Sequence, residues 1–142
     1  MSTIMEDAKK GIVTPQFKAI AQKEKVSERF VMEGIAAGRI VAPCNPIHNP
    51  ESAAIGDGMS IKVNVNLGTS RDLVCMENEL EKLKVALRYG ADAVMDLSTG
   101  GDIDAIRARI LKECPVMTGS VPIYQIGLTA ARKNAVVEMT KD

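Results

Sequence analysis

Residues 61–102 read IKVNVNLGTSRDLVCMENELEKLKVALRYGADAVMDLSTGGD, and their pattern predicts the architecture of the chain. Apolar residues recur at a period of two from Ile61 to Val65, which is typical of a strand. Leucines at helical spacing follow and predict a helix that ends at Gly90. Residues 91–97 then predict a second strand. Strands that alternate with crossover helices indicate βαβ units and a parallel sheet, so we predict an α/β fold.

The same alternation continues toward the C-terminus. Asp102 predicts the N-cap of the next helix, and residues 116–123 predict a third strand. Asn66, Met95 and Tyr124 each lie at or near the end of a predicted strand, at successive intervals of 29 residues. One strand and its crossover helix take about 30 residues, so the three are predicted to be equivalent positions in successive units. In a barrel, ligands bind at the carboxyl ends of the strands, where one ligand could touch all three.

The first sixty residues are organised differently. Thr14, which a proline follows, predicts the start of one short helix, and Ser27 predicts the start of another. Residues 39–42 predict a short strand. Residues 43–60 are rich in proline, asparagine and glycine, which predicts an ordered loop or lid rather than a flexible linker.

These patterns divide the chain in two. We predict an N-terminal segment over residues 1–60, with two short helices and the proline-rich loop, followed by a partial (β/α)8 barrel of about three strands over residues 61–142. A complete barrel takes roughly 250 residues. Because three strands would leave a sheet edge open to pairing with another chain, we expect a fragment of a longer barrel. A small open α/β sheet is the alternative.

Composition narrows the possible functions. The formal net charge of the 142 residues is zero, so charge gives no argument for a nucleic-acid or anionic-membrane partner. Aromatic residues make up 3% of the chain, which argues against a base-stacking surface. No apolar stretch is long enough to span a bilayer, and the N-terminus lacks the apolar core of an export signal, so we expect a cytoplasmic protein.

Metal ligands and catalytic groups are sparse. Cys44, Cys75 and Cys114 are far apart in the sequence and there is a single histidine, so we expect neither a disulfide framework nor a self-contained metal site, and we assign no catalytic residue. The run DLSTGG at residues 96–101 could hold a phosphate through its backbone amides. A tight loop is the favoured interpretation, because the run matches neither a P-loop nor a dinucleotide fingerprint. The charged residues 77–84 are predicted to form a solvated helix face.

Four strings in the chain carry a specific resemblance. They are GIVTPQFKAIAQKE at 11–24, KVNVNLGTS at 62–70, ELEKLKVALRYGADAVMDLSTGGDI at 79–103 and GSVPIYQ at 119–125. In this order they resemble the phosphomethylpyrimidine synthase family, which makes the thiamine pyrimidine and belongs to the radical S-adenosylmethionine class. The resemblance covers nearly the whole chain, from about residue 8 to residue 125.

The resemblance implies a fold and a reaction. The family has a small N-terminal domain, a (β/α)8 barrel and a C-terminal segment, and it is typically a homodimer. It rearranges 5-aminoimidazole ribonucleotide to 4-amino-5-hydroxymethyl-2-methylpyrimidine phosphate, with S-adenosylmethionine and a reduced 4Fe–4S cluster as cofactors. The cluster cysteines form a C-x-x-C-x(4)-C run that these residues lack, and the later barrel strands with their metal-binding histidines are missing too. We therefore expect the chain to supply part of the substrate pocket and to be inactive by itself.

Three residues match substrate-binding positions of the family: Asn66 in VNVNLG, Met95 in VMDLSTG and Tyr124 in VPIYQ. An amide both donates and accepts hydrogen bonds, and a polarizable thioether can pack against a flat heterocycle. Without the resemblance, Asn66 and Tyr124 would be ordinary residues at strand ends and Met95 an ordinary core residue.

Two departures from the family keep alternatives open. The strings APCNPIHNP at 42–50 and TGGDIDAIRARIL at 99–111 differ from the more common family strings. They point toward a short-form synthase or toward the sister group, 5-hydroxybenzimidazole synthase, an anaerobic cobamide-pathway enzyme with the same substrate and cofactors. The sister group would share the three substrate positions. A noncatalytic nucleotide-binding or assembly domain is a third hypothesis.

Overall fold

The computed structural model of the chain describes residues 2–133. The chain separates into a first unit, Met1–Lys62, and a second unit, Val63–Asp142. Each unit has a hydrophobic core of its own. None of the helices in the described range combines the length and the apolar character that crossing a membrane requires.

The first unit contains three helices: Ile4–Lys9 (α1), Pro15–Glu24 (α2) and Glu28–Ala36 (α3). Each has an N-cap residue whose side chain accepts a hydrogen bond from the first turn of the helix. The two predicted starts are confirmed, because the hydroxyls of Thr14 and Ser27 accept from N–H groups three residues further on. The prediction of two helices missed α1. Its signal is a capping box, in which the Thr3 hydroxyl accepts from the Glu6 N–H and the Glu6 carboxylate accepts from the Thr3 N–H.

A two-residue ladder also belongs to the first unit. Ile40–Val41 (β1) pairs antiparallel with Ile55–Gly56 (β2), so that Ile40 lies opposite Gly56. The sequence predicts β1 but assigns β2 to a loop, because a two-residue strand has no periodicity to detect. The core of this unit contains apolar side chains from all three helices, β1 and the stretch before β2: Ala8, Phe17, Ile20, Ala21, Val31, Ile35, Ile40 and Ala54.

A buried ion pair lies at the end of α2. The side chains of Glu24 and Lys62 are 2% and 7% exposed, and Oε1 of Glu24 lies 2.9 Å from Nζ of Lys62. The Ser60 N–H donates to Oε2 of Glu24 at 2.7 Å. Burial opposes the charged form of Glu24, but the hydrogen bonds from Ser60 and Lys62 outweigh it, so the pKa of Glu24 lies below its ordinary value. The folded unit therefore favours the ionised carboxylate.

Acid should remove the stabilisation that this ion pair provides. Because the pKa of Glu24 is lower in the folded protein than in the unfolded chain, its contribution is complete above the ordinary value of 4.5 and is lost as the pH falls through the folded-state value. In urea unfolding followed by circular dichroism, we expect Glu24→Gln to be less stable than wild type at neutral pH. The two proteins should converge as the pH falls below the folded-state value.

The matched control for this titration is Glu33→Gln. Glu33 pairs with Arg29 at 2.7 Å on the exposed surface of α3, where solvent screens the interaction and the pair contributes little to stability. The control should therefore unfold almost like wild type at neutral pH. A stability difference between wild type and Glu24→Gln that stays constant from neutral to acidic pH would contradict the linkage argument.

The second unit alternates strand and helix along the chain. Its elements are Asn64–Leu67 (β3), Met76–Arg88 (α4), Ala93–Asp96 (β4), Ile103–Glu113 (α5), Met117–Ser120 (β5) and Pro122–Lys133 (α6). The strands are parallel in the order β3-β4-β5, which confirms the predicted alternation and the parallel sheet. Asp102 caps α5 by accepting from the Ala105 N–H at 3.0 Å, as predicted. Gly90 follows α4 with a φ of +81°, a conformation that suits glycine.

Helices α4 and α5 pack on the same face of the sheet. One buried cluster contains side chains of β3, α4, β4 and α5: Leu67, Leu83, Ala86, Val94, Ile106 and Ile110. Because side chains alternate along a strand, Asn66 of β3, Met95 of β4 and Gly119 of β5 lie on the opposite face, which we call the inner face. The inner face carries two of the predicted site residues.

The third strand departs from the prediction at its C-terminal end. The sequence pattern predicts a strand over 116–123, but β5 ends at Ser120 and α6 begins at Pro122. Proline is favoured in the first turn of a helix, because its missing N–H would have no helical partner there. Tyr124 therefore lies in a helix and not at the end of a strand. At the opposite edge of the sheet, β3 begins at Asn64, three residues after the predicted start at Ile61.

Candidate functional site

Asn66 and Met95 are neighbours across the ladder between β3 and β4. They are register partners on adjacent parallel strands, which lie about 4.8 Å apart, and both belong to the inner face. Asn66 is exposed on this face, and Met95 is half-buried. The structure thus brings these two predicted residues together. They meet because they occupy equivalent positions in successive βα units, as the 29-residue interval between them in the sequence suggests.

Asn64 contacts the amide of Asn66. It lies two residues earlier on the same face, and its Nδ2 donates to Oδ1 of Asn66 at 3.2 Å. With its oxygen engaged in this way, Asn66 presents its NH₂ group as a donor. The amide donor suits the edge of a flat heterocycle, and the neighbouring polarizable thioether suits its face.

Tyr124 lies beyond the carboxyl end of β5 and is not in register with Asn66 and Met95. A single residue, Val121, separates β5 from α6, and the Tyr124 N–H donates to the Val121 carbonyl at 3.0 Å. The Tyr124 side chain is 46% exposed. The register partner of Met95 on β5 is Gly119, so the prediction that Tyr124 is equivalent to Asn66 and Met95 is wrong. Equal sequence intervals mislead here because the crossover from β4 to β5 is the shorter one, so that Gly119 follows Met95 by 24 residues while Met95 follows Asn66 by 29.

A buried carboxylate organises the loops at the carboxyl edge of the sheet. Asp96 ends β4, its side chain is fully buried, and it accepts from both the N–H and the hydroxyl of Ser98. It also accepts from Nε of Arg107 at 3.0 Å, and Nη1 of Arg107 donates to Gln125 of α6 at 2.9 Å. This series of contacts links the end of β4 to the helix that carries Tyr124.

The DLSTGG run forms a tight loop. The N–H groups of residues 97–99 donate, in order, to the Leu67 carbonyl, the Asp96 carboxylate and the Thr69 carbonyl at 2.8, 3.0 and 2.8 Å. Three successive amides are therefore engaged inside the protein and are not free to cradle a phosphate. This geometry supports the tight-loop interpretation of the run.

Thr69 and Glu79 support the same edge, and sequence reasoning missed both. Thr69 is buried, its N–H donates to Oγ of Ser98 at 3.2 Å, and its hydroxyl donates to the Gly100 carbonyl at 2.7 Å. Glu79 is 1% exposed and accepts from the Gly68 N–H at 2.7 Å. The prediction of a solvated face over 77–84 is therefore wrong for Glu79. Its position on the buried side of α4, within the apolar helical stripe, was the available signal.

Metal ligands do not cluster in the described part of the chain. Within residues 2–133, no three His, Cys, Asp or Glu side chains are grouped so that they could hold a metal ion. Cys44 is exposed, Cys75 is half-buried and Cys114 is buried, and all three are reduced thiols outside any disulfide of the described residues. The groups that the predicted residues offer are an amide, a thioether and a phenol, which are suited to recognition of a ligand by hydrogen bonding and packing.

Comparison with known proteins gives a consistent result. The model of the radical SAM ThiC family matches residues 3–142. A phosphomethylpyrimidine synthase of Thermus thermophilus is 53% identical over 142 residues, covering 99% of this chain and 33% of that protein. Phosphomethylpyrimidine synthase 1 of Methanosarcina mazei is 48% identical, covering 99% of this chain and 32% of that protein. A phosphomethylpyrimidine synthase of Pyrococcus abyssi is 47% identical, covering 99% and 33%. The chain spans about a third of the length of these curated relatives.

Proposed function

The chain belongs to the radical SAM ThiC family, and from this premise we propose that it forms part of the substrate pocket of a phosphomethylpyrimidine synthase. The proposed reaction is the rearrangement of 5-aminoimidazole ribonucleotide to 4-amino-5-hydroxymethyl-2-methylpyrimidine phosphate in thiamine biosynthesis. The observation that carries the proposal is the pairing of Asn66 with Met95 on the inner face. The names of the curated relatives support it.

In this proposal, each of the three residues has a distinct role in holding the nucleotide. The NH₂ group of Asn66 donates to the imidazole edge or the ribose, because the Asn66 oxygen already accepts from Asn64. The thioether of Met95 packs against the flat ring. The hydroxyl of Tyr124, at the start of α6, donates to the phosphate or to a ring nitrogen.

The proposed setting of this pocket is a (β/α)8 barrel that the longer relatives complete. Parallel strands with α4 and α5 on one face are the arrangement that such a barrel repeats, and its ligands bind at the carboxyl ends of the strands. An apolar groove of about 620 Å³ lies along β3 and is lined by Val63, Val65, Val85 and Tyr89, among others. Such a groove supports a further strand and helix on that side of the sheet.

The cofactors of the proposed reaction are S-adenosylmethionine and a 4Fe–4S cluster, which supply the radical that starts the rearrangement. The described residues do not fit the cluster, because its thiolate ligands must converge and no such group of cysteines is present in residues 2–133. We therefore propose that the cluster ligands lie elsewhere in the full-length enzyme. The residues of this chain bind and orient the nucleotide.

We further propose that the full-length enzyme is a homodimer in the cytoplasm. The resemblance to the family implies the homodimer. The reduced state of Cys44, Cys75 and Cys114 suits a reducing compartment. The balanced charge of the chain supports a small-molecule partner rather than nucleic acid.

Product analysis tests the proposed reaction. The full-length protein is reconstituted anaerobically with iron and sulfide and is supplied with 5-aminoimidazole ribonucleotide, S-adenosylmethionine and a reductant. We expect the pyrimidine phosphate among the products separated by liquid chromatography and mass spectrometry. Hydroxybenzimidazole would instead assign the chain to the sister group. A loaded cluster with neither product would favour a noncatalytic domain.

The Asn66→Ala variant tests the site within the same assay. An unpaired buried polar group on the substrate costs roughly 1–3 kcal/mol, so we expect kcat/KM to fall by about ten- to a hundredfold. The matched control is Asn64→Ala, which removes the same side chain two residues earlier on the inner face. Its effect should be smaller, because Asn64 acts on Asn66 and not on the substrate. Equal effects of the two substitutions would contradict the role assigned to Asn66.

A further inference from the structure

Gly119 is the third member of the row that crosses the inner face. The strand register pairs Asn66 with Met95 and Met95 with Gly119. Paired residues on parallel strands present their side chains to the same face, so a side chain at position 119 would lie beside that of Met95. The row therefore runs from an amide through a thioether to a position without a side chain.

The path of the Met95 side chain explains why position 119 holds a glycine. A Cβ built on Gly119 would lie 2.9 Å from Cε and 3.0 Å from Sδ of Met95, well inside the 3.5–4.0 Å that is about the optimum for nonbonded carbon atoms. The φ of Gly119 is outside the left-handed range, so the backbone does not require glycine here. The end of the Met95 side chain thus lies over β5, in space that any other residue at 119 would fill.

We propose that Gly119 is a positioning residue for Met95 and sets the depth of the pocket for a flat heteroaromatic ring of the aminoimidazole class. With glycine at 119, the thioether lies low across β5. An added methyl group would push the thioether up into the space above the inner face, where the ring would pack. This inference rests on the proposed function, because it takes Met95 to be a residue that contacts the nucleotide.

A substitution at Gly119 should change ligand binding more than stability. The atoms that an added Cβ would meet are Sδ and Cε of Met95, which form the free end of a flexible side chain. They can move by rotation about side-chain bonds, so the fold accommodates the methyl group. An extra methyl group in a close-fitting pocket lowers affinity by about ten- to a hundredfold.

The test compares Gly119→Ala with wild type in the full-length protein. In every protein compared, the methionine methyl groups are labelled with ¹³C. The methyl resonance that is missing from the spectrum of Met95→Leu is the one that belongs to Met95. We expect Gly119→Ala to shift the Met95 methyl resonance, to raise the Kd for 5-aminoimidazole ribonucleotide by about ten- to a hundredfold in calorimetry, and to leave the melting temperature close to wild type. Gly127→Ala, where an added Cβ meets no atom within 4 Å, is the matched control and should leave the Kd unchanged.

A double substitution separates positioning from a general structural effect. In a Met95→Ala background, Gly119→Ala should not weaken binding further, because no thioether remains to be displaced. Additive losses would overturn the proposal, as would an unshifted Met95 resonance. A shifted resonance with an unchanged Kd, while Asn66→Ala still weakens binding, would overturn the inference and leave the proposed function intact. If wild type fails to bind 5-aminoimidazole ribonucleotide, the proposed function fails and the inference fails with it.

Discussion

Replacing Asp96 with alanine is expected to lower the free energy of unfolding of the second unit by about 3–5 kcal/mol. The carboxylate is fully buried, and without it Arg107 loses its partner at 3.0 Å. Ser98 loses the acceptor of both its N–H and its hydroxyl. A partly buried guanidinium without its closest acceptor and two unsatisfied donors of Ser98 account for the size of the loss. Thermal unfolding followed by circular dichroism should show a melting temperature lower by on the order of 10 °C.

Asp104→Ala is the matched control, because Asp104 is a second carboxylate near the same arginine. Its side chain is 81% exposed and lies 4.0 Å from Nη1 of Arg107. Solvent screens such a pair, so its removal should cost less than about 1 kcal/mol. Similar losses in the two variants would show that burial of Asp96 does not determine its contribution to stability.

Gly68→Ala is expected to be comparably severe, although it adds only one methyl group. Gly68 has a φ of +142°, and a Cβ there would lie 2.5 Å from the Ser98 nitrogen and 2.7 Å from the Leu97 carbonyl carbon. Both neighbours are backbone atoms that cannot rotate aside, so the loops after β3 and β4 would have to separate. Backbone strain of about 1–3 kcal/mol and overpacking of similar size predict a loss of roughly 2–6 kcal/mol in urea unfolding.

Gly90→Ala distinguishes strain from steric conflict in this prediction. Gly90 also has a positive φ, of +81°, but an added Cβ there meets no atom within 4 Å. Its substitution should therefore cost only the strain, about 1–2 kcal/mol. A Gly68→Ala variant that is as stable as Gly90→Ala would contradict the argument that the two loops approach too closely for a side chain.

Asp96 and Gly68 act at the edge of the sheet where we propose that the nucleotide binds. Gly68 follows β3, which carries Asn66, and Asp96 follows Met95 directly in β4. The hydrogen bonds of Asp96, Thr69 and Ser98 hold the two loops together at the carboxyl ends of these strands. Rigid loops at that edge would keep Asn66 and Met95 in the register that the proposed pocket needs.

Much of the second unit could be predicted because its signals are local. The leucine spacing of α4 and the cap of α5 by Asp102 involve residues within one or two helical turns of each other. In the first unit, Thr14 and Ser27 cap helices by the same short-range hydrogen bond. The strings around Asn66 and Met95 indicated the family for a similar reason, since each is a continuous stretch of sequence.

The predictions that failed concern contacts between distant parts of the chain. Tyr124 has the same sequence interval from Met95 as Met95 has from Asn66, but the register places Gly119 beside Met95. Pro122 was compatible with a strand end or with a helix start, and only the short connection after β5 decides between them. Glu79 resembles its charged neighbours in sequence, and although its position falls within the apolar stripe of α4, only the structure shows the Gly68 N–H that its buried carboxylate accepts from.

The amino-acid sequence by itself determined the order of strands and helices in the second unit, their parallel pairing in βα units and the family of this chain, because caps, periodicity and continuous motifs are short-range properties. The tertiary structure decided which residues share a face, which carboxylates are buried and why position 119 has no side chain. Those features depend on pairs such as Thr69 and Ser98, which are 29 residues apart and meet only when the strands align. Register and burial arise from such long-range packing, which no local pattern specifies.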